Sequence, residues 1–157
     1  DTKAIAAIET NQTKIIANPN CRKKLNRGQE MKNGDVLQLA KDIKLEAVPA
    51  YNTTPGRDKF HPKGRDNGYI LTLGETRIYI AGDTEDIPEL NQVKDIDIAF
   101  LPVNQPYTMT PEQAIRAAKI IKPRVLYPYH YGETDINKVK EGLKNETGTE
   151  VRIRALQ

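Results

Sequence analysis

The stretch RIYIAGDTEDIPEL, residues 77–90, decides the fold. Its first residues follow the pattern of a strand, Gly82 interrupts that pattern, and Asp83 follows directly as an acid. We expect this carboxylate to be exposed at the tip of a buried strand. The rest of the sequence indicates why an acid stands there.

Residues 68–83 predict a hairpin of two strands about a turn at Gly74-Glu75. The segment before them, 43–50, alternates apolar and polar residues like a half-buried strand. The segment after them, 95–103, is a continuous apolar run, which is typical of a strand covered on both faces.

The later part of the chain predicts helices alternating with strands. Thr110, Pro111 and Gln113 form the sequence signature of a capping box and predict a helix start. Residues 124–132 then predict a strand and residues 135–146 a second helix. Hairpins followed by strand–helix–strand units indicate one mixed α/β layered domain over residues 1–157.

At the N-terminus, Asp1 predicts the cap of a short helix that ends near Glu9, with Ile5 and Ile8 on its buried face. A short strand is predicted at residues 13–18. A second helix, with proline in its first turn, is predicted at residues 19–25.

Composition excludes several classes of protein. The 24 basic and 21 acidic residues are mixed along the chain. The longest basic run, Arg22-Lys23-Lys24, is typical of a solvated helix face. We therefore expect that the protein does not bind nucleic acid. No apolar stretch approaches the roughly 18 residues that span a bilayer, so we expect no membrane span. The one cysteine, Cys21, fits a reducing compartment, and we predict a cytoplasmic protein.

The chain has two histidines, His61 and His130. His130 follows a buried strand, as Asp83 does, and strand ends that face one crevice are where α/β layers bind ligands. An imidazole and a carboxylate together suit a divalent transition metal. The alternative is structural: Asp83 caps its turn and His130 bonds to a backbone carbonyl. His61 lies in a long polar loop, 51–66, and could equally be solvent-exposed.

Three further side chains are candidates for substrate binding. Lys63 and Arg65 flank His61 and could hold an anionic group, or they could solubilise a mobile loop. Tyr107 belongs to a set of tyrosines at predicted strand ends or in loops, where a phenol can line a cleft or pack at an edge.

Five segments in order resemble the metallo-β-lactamase-fold hydrolases, in the branch similar to L-ascorbate-6-phosphate lactonase. They are AVPAYN (47–52), FHPKGRDNGYIL (60–71), RIYIAGDTEDIPEL (77–90), IDIAFLPV with YTMTPEQA (96–114), and KPRVLYPYHYGET (122–134). The resemblance implies a metallo-β-lactamase-like αββα sandwich. It also implies that Asp83 bridges two metals, that His130 closes the second metal site, and that His61 completes the first.

One departure from the family is large. Its His-x-His-x-Asp-His motif is not in this sequence. We therefore expect the chain to be the C-terminal three-quarters of the domain, incomplete at the N-terminus.

The resemblance implies hydrolysis of an ester, lactone or phosphodiester by a metal-activated water, with two zinc or manganese ions in a complete protein. We expect the chain alone to be inactive. The alternative is a catalytically degenerate domain that binds a ligand or partner. We also expect a small-molecule substrate, for which an anionic group is one option. The resemblance allows a homo-oligomer but leaves the oligomeric state open.

Overall fold

The computed structural model describes residues 1–156. Fourteen elements follow one another along the chain. They are α1 (Thr2–Ile8), β1 (Ile16–Ala17), α2 (Pro19–Leu25), β2 (Gln29–Glu30), β3 (Val36–Ala40), β4 (Ile43–Ala50), β5 (Asp66–Leu73), β6 (Thr76–Ile80), a 3-10 turn (Pro88–Gln92), β7 (Ile98–Pro102), α3 (Pro111–Ile121), β8 (Val125–Tyr129), α4 (Asn137–Gly142) and β9 (Glu150–Val151).

The main sheet has seven strands in the order β3-β4-β5-β6-β7-β8-β9. The strands from β3 to β6 pair antiparallel as hairpins, and those from β6 to β9 pair parallel. The strands β1 and β2 form a separate parallel pair. The mixed α/β class predicted from the sequence is confirmed, as is the change from hairpins to crossover units.

The helices α3 and α4 and the 3-10 turn pack on one face of the main sheet. The core between them includes Tyr79, Ala99, Leu101, Leu126 and Val139, each with no exposed surface. The capping box at the start of α3 is present: Gln113 N–H donates to Thr110 Oγ1, and Thr110 N–H donates to Gln113 Oε1. It fixes the N-terminus of the helix that covers the sheet.

The opposite face of the main sheet, called here the open face, is apolar but only partly buried. Its side chains come from strand positions that pair with one another, and they include Leu45, Leu71, Ile78, Ile80, Ile98, Phe100 and Tyr127. Ile80 keeps 39% of its surface exposed. The prediction that 95–103 is covered on both faces is therefore wrong for the described residues, because the helices cover only one.

Two predictions about helices also need correction. No residue of α1 is buried, and Ile8 is 78% exposed, so the expected buried face of Ile5 and Ile8 is absent from this helix. The second late helix is α4, which spans Asn137–Gly142 rather than 135–146, and its N-cap residue makes no side-chain hydrogen bond. No helix in residues 1–156 is long and apolar enough to cross a membrane.

Candidate metal centre

The sequence break at Gly82 has a steric cause. Its φ is +69°, a backbone conformation that side chains disfavour, and a Cβ there would lie 2.6 Å from the carbonyl oxygen of Asn67. Only glycine fits this approach of the chain to the start of β5. Asp83 follows at once, so the glycine sets where its carboxylate lies.

Tyr129, the last residue of β8, also holds the turn at Gly82. Its hydroxyl donates to the carbonyl oxygen of Gly82 at 3.1 Å. Burial, together with the negative charge of Asp83, raises the pKa of the Tyr129 phenol above its ordinary value. The hydroxyl therefore stays protonated and keeps donating this hydrogen bond.

His130 lies directly after β8 with an uncommon backbone. Its φ is +46°, in the left-handed region that residues other than glycine seldom adopt. The backbone N–H of His130 donates to Leu156 O at 2.7 Å, and its imidazole Nδ1 lies 2.9 Å from Asp83 Oδ1. A strained backbone held by its surroundings points to a functional position.

His61 approaches Asp83 from the other side. Its Nε2 lies 3.7 Å from Asp83 Oδ2, and its Nδ1 lies 3.1 Å from Asp66 Oδ2. A carboxylate behind a histidine holds the ring orientation and leaves the other nitrogen for a metal, as in many metal sites. The structure thus brings the three predicted ligands together as a row, with Asp83 between two imidazoles.

Asp66 is a site residue that the sequence interpretation missed. It accepts hydrogen bonds from Arg65 and from Asn18 Nδ2, in addition to its contact with His61. Burial alone would raise its pKa, but the hydrogen bonds from His61 and Arg65 prevail and hold the pKa of Asp66 at about 2. The available signal was an acid five residues after His61, next to an arginine.

The predicted substrate-binding residues lie in three different settings. Arg65 lines the site cavity, but its guanidinium also bonds to Asp66 and to Phe60 O. Lys63 pairs with Glu89 at 3.0 Å and lies over the ring of Tyr51. Tyr107 is 45% exposed and packs edge-on against Phe60. Of these three, only Arg65 lines the same cavity as His61 and Asp83.

The cavity beside this row has a volume of about 800 Å³. One wall comes from α2 and includes Lys23 and Lys24, which were expected to form a solvated helix face. Both are exposed, as expected, but they also line the site. No local sequence signal indicates this, since the position of α2 beside the start of β5 is a tertiary feature.

The donor types fit a divalent transition metal: two imidazoles and one carboxylate, with a second carboxylate behind one ring. Within residues 1–156, no group of three or more His, Cys, Asp or Glu side chains is arranged so that it could hold a metal ion. The row therefore consists of two ligand pairs that share Asp83.

Several known proteins are similar to this chain. Over its full length it matches a metal-dependent hydrolase from Parabacteroides distasonis at 62% identity and a TM-score of 0.95, covering 71% of that chain. It matches the metallo hydrolase Igni18 from Ignicoccus hospitalis at 24% identity and a TM-score of 0.80 over 98% of this chain and 70% of the other, a likeness of fold.

Among curated relatives, the UPF0173 metal-dependent hydrolase of Desulforamulus reducens is 32% identical over 71% of this chain and 53% of its own. The UPF0173 metal-dependent hydrolase of Pelotomaculum thermopropionicum is 29% identical over 71% of this chain and 54% of its own. The chain spans about half the length of the curated relatives it matches. The family model described as a beta-lactamase superfamily domain matches residues 2–131. The chain therefore belongs to the beta-lactamase superfamily domain family, and its relatives are named metal-dependent hydrolases.

Proposed function

We propose that this chain carries part of the site of a metal-dependent hydrolase that cleaves a small ester, lactone or phosphodiester. One observation carries the proposal: the Asp83 carboxylate lies 2.9 Å from a nitrogen of His130 and 3.7 Å from a nitrogen of His61. The names of the relatives support a hydrolase that depends on metal.

In this proposal the pairs His61–Asp83 and Asp83–His130 each supply part of a metal site, and Asp66 keeps the His61 ring oriented. Zinc and manganese both accept these donors. A bound divalent metal lowers the pKa of its water toward neutrality and polarises the bond under attack. Tyr129 donates to the Gly82 carbonyl and so helps to hold the turn that carries Asp83.

The charges around the cavity favour a small anionic substrate. Lys23, Lys24 and Arg65 line it, and the carboxylates that line it belong to Asp66 and Asp83. Because Asp66 already bonds to His61 and Arg65 and Asp83 faces two imidazoles, the two lysines remain the accessible charges. They are placed to attract a phosphate or carboxylate on the substrate. The predicted roles of Lys63 and Tyr107 stay predictions.

The test compares metal dependence and turnover in wild type and in His130→Ala, using the longest form of the protein that the gene encodes. Chromogenic esters, lactones and phosphodiesters are assayed after loading with zinc or manganese. We expect metal-dependent hydrolysis in wild type and a rate more than about 100-fold lower in the variant. Substituting a residue that only hydrogen-bonds to a metal ligand already lowers metal affinity or activity by up to about 100-fold. Tyr131→Phe, next to His130, is the matched control.

Hydrolysis that survives in His130→Ala would contradict the proposal. Metal binding or ligand binding without any turnover in wild type would favour the degenerate, ligand-binding alternative instead.

A further inference from the structure

Glu85 is a buried acid two residues after Asp83. It has no exposed surface, and its Oε2 accepts four hydrogen bonds. The donors are the backbone N–H groups and hydroxyls of Thr53 and Thr54, at 2.8 to 3.0 Å. Its other oxygen, Oε1, lies 3.0 Å from the guanidinium of Arg57. A buried carboxylate is tolerated when it is paired and hydrogen-bonded in this way.

All of these donors belong to the loop of residues 51–66, which also carries His61. Asn52 connects the two ends of the loop, because its N–H donates to His61 O at 2.8 Å. Its side-chain Nδ2 donates to Arg57 O at 3.1 Å. The part of the loop that Glu85 holds is therefore bonded directly to the residue that faces Asp83. The loop is thus hydrogen-bonded both to itself and to Glu85.

The same residues connect the loop to the turn that carries Tyr107. Arg57 Nε donates to Pro106 O at 2.9 Å, and the Arg57 guanidinium also bonds to Thr108 O. Asn52 Nδ2 donates to Tyr107 O at 2.7 Å. Glu85 thus lies where the Asp83 turn, the His61 loop and the Tyr107 turn meet.

We propose that Glu85 is a positioning residue that fixes His61 against Asp83. One short turn then supplies both the carboxylate of the site, Asp83, and the anchor of the loop that brings His61 to it. The inference rests on the proposed function only in taking His61 as a metal ligand. Removal of the Glu85 carboxylate leaves the amides of Thr53 and Thr54 and the charge of Arg57 without their partner, so the loop relaxes.

The test uses Glu85→Ala, with Asp86→Asn as a matched control and Val139→Ala as a stability control. Asp86 is the neighbouring acid and pairs with Arg116, away from the loop. Val139 is fully buried in α4, outside the loop, so its truncation to alanine lowers the global stability. Amide hydrogen exchange is measured at Asn52, whose N–H donates to His61 O, and at Thr53 and Thr54. The ¹⁵N signals of the His61 imidazole are recorded in the same samples.

We expect exchange at these loop amides to rise at least about tenfold in Glu85→Ala, after correction for global stability with Val139→Ala. The His61 imidazole signals should shift at the same time, and Asp86→Asn should leave both readouts unchanged. Glu85→Gln should give a smaller change of the same pattern, because its carbonyl can accept from the threonines while its amide faces Arg57. This variant decides the matter if the alanine variant does not fold.

Unchanged loop exchange and unchanged His61 signals would overturn the proposal, and so would an equal change in Val139→Ala. Cobalt(II) titration adds a separate readout: weaker binding in Glu85→Ala than in Val139→Ala supports the role of Glu85 at the site. Wild type that binds no cobalt(II) would count against the proposed function, while the exchange and imidazole readouts would still decide the role of Glu85.

Discussion

Asp83 and His130 lie 47 positions apart in the sequence, yet Asp83 Oδ1 and His130 Nδ1 are 2.9 Å apart. They meet because β6 and β8 flank β7 in parallel, so the carboxyl ends of these strands lie at one edge of the sheet. His61 reaches the same carboxylate from the loop of residues 51–66. This shared carboxylate is the centre of the candidate site.

Asp83→Asn should weaken zinc binding at least about tenfold, because the amide removes the one negative charge that both imidazoles face. Calorimetric titration with zinc measures the affinity. Asp86→Asn serves as control, since Asp86 pairs with Arg116 rather than with a histidine. Equal affinity in wild type and Asp83→Asn would remove Asp83 from the ligand set.

Gly82→Ala should lower the free energy of unfolding by at least about 2 kcal/mol, because positive φ and a contact with Asn67 O both oppose a Cβ. Gly148→Ala is the control: its φ is also positive, +101°, but nothing lies within 4 Å of the added Cβ. It should lose only about 1–2 kcal/mol. Chemical denaturation measures both, and equal losses would contradict the steric explanation.

Tyr129→Phe should cost about 1 kcal/mol of stability, the usual contribution of one hydrogen bond, here the one to Gly82 O. Tyr131→Phe removes a hydroxyl that bonds to Arg154 O at an exposed position, and its loss should be smaller. Thermal denaturation compares the two. A larger loss in Tyr131→Phe would show that the Tyr129 bond does not stabilise the Gly82 turn.

Asp97 should make stability depend on pH in the acid range. Its carboxylate accepts a hydrogen bond from Arg77 N–H at 2.8 Å and one from the Arg124 guanidinium at 3.1 Å, and these hold its pKa below the ordinary value of 3.8. A lowered pKa means that the contribution is present above pH 3.8 and is lost as pH falls through the folded-state pKa.

The stability difference between wild type and Asp97→Asn should therefore be larger at about pH 6 than at about pH 2. Urea denaturation at the two pH values measures it. Because other carboxylates titrate equally in both proteins, the comparison isolates Asp97. A difference that is the same at both pH values would refute the assignment.

The open face should drive self-association of this chain, because contiguous exposed apolar surface favours contact between molecules. Ile80, near the middle of this face, keeps 39% of its surface exposed. Ile80→Ser should shift sedimentation toward the monomer, whereas Ile8→Ser, on α1, should not. A wild type that is monomeric at all concentrations would contradict this prediction.

Local patterns in the sequence determined most elements of the fold. The hairpin about Gly74-Glu75, the helix at Pro19–Leu25 and the capping box at Thr110 all follow from signals within a few residues. Periodicity and turn chemistry act at this range, so they can be read without the tertiary structure. The family resemblance further pointed to His61, Asp83 and His130 as partners.

Only the tertiary structure decided which acids are buried and what they hold. In the run Glu85-Asp86, nothing in the sequence separates the buried anchor of the loop from the acid that pairs with Arg116 at the surface. The same holds for Asp66, whose role depends on where β5 begins relative to His61. The prediction that β7 is buried on both faces was wrong for a related reason. The sequence specifies which side chains are apolar, but their burial depends on which surfaces the packed elements bring together.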